Sequence, residues 1–115
     1  MPGKLENALQ QTGYRFAHFG WSPAPEGDYG AWSEDSGDDF IANNVHAERG
    51  TSYTVDYYTR DASGTARDTI ERALHGLRCG WRLDTIMYEN DTGYVHYAWR
   101  VFIAGDPNAE ADGGP

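Results

Sequence analysis

Hydrophobic and polar positions alternate with different periods along this chain, and the periods divide it into elements. Leu5, Ala8 and Leu9 recur at helical spacing, which predicts a short helix over Lys4 to Thr12 with Gly13 just past its end. Tyr14, Phe16 and His18 then alternate with Arg15 and Ala17, predicting a first strand over Tyr14 to Trp21. The prolines of Ser22 to Gly27 stop it. A second strand is expected over Asp28 to Glu34, followed by a loop at Asp35 to Asp39. Ile41, Val45 and Ala47 also alternate, so a long third strand is expected to start near Phe40 and run to Arg60. Its firm part is Thr51 to Arg60, with Tyr53, Val55 and Tyr57 on one face and Thr54, Asp56 and Tyr58 on the other.

Ala66, Ile70, Ala73, Leu74 and Leu77 return to the helical period. Thr65 and Asp68 have the spacing of a capping box, and Gly80 suits the far end. Two strands follow, Trp81 to Glu89 and Gly93 to Ala104. Asn90 to Gly93 between them reads as a hairpin loop, with Gly93 able to take a positive φ. The order αβββαββ predicts an α+β fold. It implies an antiparallel sheet of about five strands with both helices on one face, and a long loop or β-arm within 21–50. Residues 1–104 form the expected single domain, and 105–115 a flexible acidic tail.

A sheet face open to water normally carries polar residues. Here Trp32, Tyr58 and aromatics of the last strand are expected opposite the helices, which suggests a face covered by another subunit. Aromatic residues are 14% of the chain, too many for a disordered segment. Tyr and Trp are also enriched at protein interfaces.

Charge narrows the partners. The formal net charge is −9 over 115 residues. Three acids, Asp106, Glu110 and Asp112, lie near the C-terminus. A chain of this sign disfavours DNA or anionic lipid as a direct ligand, because both need Lys and Arg to neutralise phosphate. It favours a basic protein partner, or a lumen through which DNA slides. A single cysteine, Cys79, excludes an internal disulfide. No apolar run has the length of a signal peptide or a membrane span, so a cytoplasmic location is expected.

Candidate chemistry is sparse. Asp35, Asp38 and Asp39 lack the spacing of a calcium loop. His18, His46, His75 and His96 form no zinc-binding helical pair. Cys79 follows Arg78 near a helix end, where the dipole does not activate a thiol. No serine sits in a nucleophile elbow, and no phosphate-binding glycine motif is present. The expectation is therefore a non-enzyme with no metal, no cofactor and no catalytic residue.

One resemblance is carried by four segments. They are the leading helix Leu5 to Gly13, the aromatic strand and Pro-rich turn followed by Asp28-Tyr29-Gly30-Ala31-Trp32, the strand Tyr53 to Asp61 running into the helix Ala66 to Leu77, and the closing hairpin Tyr88 to Tyr97. Together they resemble the small tail-completion or tail-terminator proteins of long-tailed phages and prophages, and their minor-tail relatives. The resemblance implies a structural role in head–tail joining. Its members commonly form a hexameric ring that stops tail-tube growth and meets the head–tail connector. It further implies self-association, tail-tube and connector proteins as partners, DNA only in passage through a negative lumen, and no membrane. The location would be the host cytoplasm during assembly and then the virion. Trp21 to Gly50 would contact a neighbour or line the ring. The candidate contact residues are Trp32, Asp38, Asp39, Phe40, Tyr53, Tyr58, Tyr97 and Trp99. The alternative is a small acidic inhibitor, of immunity or anti-restriction type, binding a basic protein target.

Overall fold

The computed structural model describes residues 3–35, 50–77 and 79–104. Among these, helix α1 (Lys4–Gln11) leads into strands β1 (Phe16–His18), β2 (Tyr29–Glu34) and β3 (Gly50–Thr59). Helix α2 (Thr65–His75) and strands β4 (Gly80–Tyr88) and β5 (Val95–Ala104) follow. The five strands form one sheet in the order β1-β2-β3-β5-β4. The fold is α+β, as the periodicities predict, and both helices pack on one face of the sheet.

The centre of the sheet is the long antiparallel pair of β3 and β5. Its register sets Tyr57 opposite Tyr97, Val55 opposite Trp99 and Tyr53 opposite Val101. All six are buried, and with Leu5, Leu9, Ile70 and Leu74 from the helices they form the core. Trp99 is 0% exposed. Its indole N–H cannot reach water there and instead donates to Glu71 Oε2 on α2 at 3.0 Å. The same carboxylate accepts from Arg67 Nε at 3.1 Å, so one acid ties the sheet to the outer side of α2.

One expectation about the sheet is corrected. It is mixed, because β1 runs parallel to β2, with Phe16 opposite Gly30 and His18 opposite Trp32. The connection over 19–28 carries the chain back along the sheet edge instead of turning as a hairpin. Arg15 anchors it through Nε and Nη2, which donate to the Asp28 carbonyl at 3.2 and 2.8 Å. Strand β1 is also shorter than the aromatic alternation predicts. Phe19 adopts φ +72° and Gly20 φ +126°, which turns the chain out of the ladder.

Helix ends differ as well. Gly64, at φ +92°, occupies the N-cap of α2, and Thr65 is its first helical residue, so the capping box does not form. Helix α2 stops at His75 with Gly76 as its C-cap, short of the Leu77 that the stripe predicts. The end of α1 is as expected: Gly13 has φ +81° and donates its N–H to Gln10 O. So is the β4–β5 hairpin, where Gly93 has φ +79° and donates to Glu89 O.

Strand β4 contains a bulge between Leu83 and Thr85. An extra residue there switches which side chains face the helices. Past the bulge, Ile86, Met87 and Tyr88 are 52%, 54% and 61% exposed on the outer strand of the sheet. The expected start of the third strand near Phe40 and the tail 105–115 lie outside the described residues.

Candidate interaction surface

The sheet face away from the helices is organised in rows by the register. The first row is Tyr29, Tyr58, His96 and Met87, contributed by β2, β3, β5 and β4 in turn. Tyr29 stacks on Tyr58 at 4.7 Å between ring centroids, and Tyr58 stacks on His96 at 4.2 Å. Tyr94 meets both tyrosines edge-on, at 5.7 and 6.1 Å. The Arg60 guanidinium lies 4.2 Å from the Tyr94 ring centroid, a cation–π contact. Tyr94 Oη donates to Gly27 O at 2.9 Å, which binds the hairpin to the 19–28 connection.

The second row is Ala31, Asp56, Ala98 and Thr85. Three of its side chains are small, so the row forms a trough beside the aromatic ladder. Asp56 is its charged member. His96 Nε2 donates to Asp56 Oδ1 at 2.8 Å. The third row is Ser33, Thr54, Arg100 and Arg82. Arg82 and Arg100 face each other directly, an unfavourable like-charge pair relieved by acids nearby. Arg100 Nη2 lies 3.3 Å from Asp35 Oδ2, and Arg82 Nη2 3.7 Å from Asp84 Oδ1. Asp35 Oδ2 is buried without a hydrogen bond among the described residues. The approach of Arg100 is therefore an ion pair without hydrogen-bond alignment. The other oxygen, Oδ1, accepts from Thr54 Oγ1 at 2.7 Å.

At the β2 end of the trough the 19–28 connection borders an open pocket of about 270 Å³. Ala31, Tyr29, Asp56 and Tyr58 form its floor, and Phe19, Gly20, Trp21 and Ala24 its wall. Trp21 is fixed by its indole N–H, which donates to Gly30 O at 2.7 Å. Phe19 is 74% exposed despite its large apolar side chain. Burial, and then the nearby Asp56 carboxylate, push the Tyr58 hydroxyl up to about 12. Burial also raises Tyr29. Both hydroxyls therefore stay neutral at physiological pH and act as hydrogen-bonding groups.

The sequence-predicted contact residues scatter. Tyr58 lies on this open face. Trp32 does not, contrary to expectation. It sits opposite Val55, packs against the core and stacks on His18 at 4.0 Å. Tyr53, Tyr97 and Trp99 are buried beneath the helices, where they hold the fold. Asp38, Asp39 and Phe40 lie outside the described residues. The residues that do assemble here, Tyr29, Asp56 and His96 with Trp21 and Phe19, are not on the sequence-derived list. Alternation along each strand could place Tyr58 opposite Tyr57's face, but only the register makes Tyr29 and His96 its neighbours.

Other chemistry stays dispersed. Among the described residues, no group of three or more His, Cys, Asp or Glu is close enough to hold a metal ion. Burial pushes the Cys79 thiol up, away from the reactive thiolate, and Sγ points to Leu74 O at 3.6 Å. His18 pairs with Glu34 at 2.7 Å on the sheet edge. Among the described residues, no helix is long and apolar enough to cross a membrane. Compared with protein-family models, curated proteins and solved structures, the chain matches none.

Proposed function

We propose that the chain is a structural subunit of a long-tailed phage or prophage virion, a tail-completion or tail-terminator protein that forms a ring at the head–tail junction. The observation that supports this reading is the aromatic ladder on the sheet face that carries no helix. A solvated face would be polar, whereas the half-buried Tyr29 and Tyr58 and the exposed Trp21 offer aromatic surface for another protein to cover. A ring needs two unlike complementary surfaces that meet head to tail and close. The ladder lies toward β2, and exposed Ile86, Met87 and Tyr88 lie on β4 at the far edge of the same sheet. The net charge of −9 suits a lumen that DNA crosses without sticking.

The test is oligomeric state. Light scattering across a concentration series, and electron microscopy of the protein mixed with purified tail tubes, should show rings free in solution or capping the tubes. Monomer at every concentration together with bare tube ends would overturn the proposal. A monomer that instead captures one basic enzyme with high affinity would establish the acidic-inhibitor reading.

A further inference from the structure

The cavity beside the aromatic ladder has a composition that selects its ligand. Asp56 is the charged side chain among the described residues that line it, and none of them is basic. Its Oδ1 is engaged by His96, while Oδ2 has no hydrogen-bond donor among the described residues. Around the carboxylate stand Tyr29 and Tyr58 on the floor and Trp21 on the wall, while the Phe19 ring stacks on His18 at 4.0 Å. At about 270 Å³ the cavity is below the roughly 300–1,000 Å³ of sites for drug-sized ligands. It matches a single side chain better than a whole metabolite.

We infer that this pocket receives an arginine side chain presented by a partner protein. A guanidinium is planar, stacks on aromatic surface and presents N–H groups that pair with a carboxylate. It is also more weakly hydrated than an ammonium, so it loses less on entering a partly apolar site. The neutral hydroxyls of Tyr29 and Tyr58 can accept its remaining N–H groups. The chain's net charge of −9 favours encounter with a basic partner. The pocket's preference for a cation is independent of whether the chain forms rings.

The experiment titrates the full chain with N-acetyl-arginine amide, N-acetyl-lysine amide and N-acetyl-norleucine amide, followed by amide and indole chemical shifts in NMR. The arginine derivative should move the signals of residues 19–31 and 56–58 and the Trp21 indole. The lysine derivative should bind more weakly, and the neutral norleucine derivative should leave the signals in place. Asp56→Asn should weaken the arginine derivative by roughly tenfold, the equivalent of one charge-assisted hydrogen bond. Because Asp56 also holds His96, a second variant, Trp21→Ala, removes wall surface on a segment outside the core. It should weaken binding by about threefold. An equal response to norleucine, tighter binding of lysine, no response to arginine, or full affinity in a folded Asp56→Asn would each overturn the assignment.

Discussion

Gly30 sits in the middle of β2, where a residue with a side chain would be expected to strengthen the strand. The structure assigns it a steric role. A Cβ at this position would press on the Phe16 ring, with Cδ1 at 2.6 Å, and on the Tyr57 ring, with Cδ1 at 2.8 Å. Its φ is not positive, so backbone strain plays no part. The Phe16 and Tyr57 rings meet at a tilt, 5.5 Å between centroids, and both lie over the bare backbone of Gly30. Tyr57 is 1% exposed and cannot swing away. Overpacking a site of this kind costs about 1–3 kcal/mol. Replacing Gly by Ala gains about 0.4–1 kcal/mol by restricting the unfolded chain. Gly30→Ala should therefore destabilise the fold by about 1–2 kcal/mol. That is roughly 4–8 °C in Tm per kcal/mol for a domain near this size. Urea denaturation should show a lower midpoint with an unchanged slope. In a Phe16→Ala background the closest clash is gone and the contact with Tyr57 at 2.8 Å remains, so the same substitution should cost less than in the parent. Gly80→Ala is the control, because a Cβ there meets nothing within 4 Å. It should change stability by less than about 0.5 kcal/mol. A Gly30→Ala variant as stable as the parent would refute the close packing of Phe16 and Tyr57 over β2.

Three further outcomes follow from the core and the open face. Tyr57→Ala should cost about 3–5 kcal/mol in chemical denaturation, as for other buried aromatics truncated to Ala; a loss below about 1 kcal/mol would place the core elsewhere. Glu71→Ala leaves the Trp99 indole N–H buried without its acceptor, so it should cost about 1–3 kcal/mol, whereas Glu71→Gln keeps an acceptor and should cost less. Burial and Asp56 raise the Tyr58 hydroxyl from 10.0 to about 12, and burial raises Tyr57 as well. The folded state then holds these protons more tightly than the unfolded chain. Stability should be fully present below pH 10 and fall as pH rises toward 12. Thermal melts across that range should show the fall, and Tyr58→Phe should make it shallower; identical profiles for both proteins would contradict the burial of this hydroxyl.

What the sequence determined by itself is local. The period of two in 53–59 and 95–103 grouped Tyr53, Val55 and Tyr57, and Tyr97, Trp99, Val101 and Ile103, each on one side of its strand. Only the tertiary structure made that the side buried against the helices, whereas the sequence has Tyr53, Tyr97 and Trp99 expected to meet a partner. The stripe at Ala66, Ile70 and Leu74 likewise specified the inner side of α2, and Gly13 and Gly93 marked turns that need a positive φ. Each of these signals depends on residues a few positions apart, which the chain brings together in any fold. Tertiary structure decided the rest. The parallel docking of β1, the inward placement of Trp32 and the bulge in β4 all depend on how strands slide past one another. Alternation limits that sliding to steps of two residues but does not choose among them. The stacked row of Tyr29, Tyr58 and His96, with Asp56 in the trough beside it, exists only in the observed register. Its members come from three separate strands, so no spacing within the sequence could announce it.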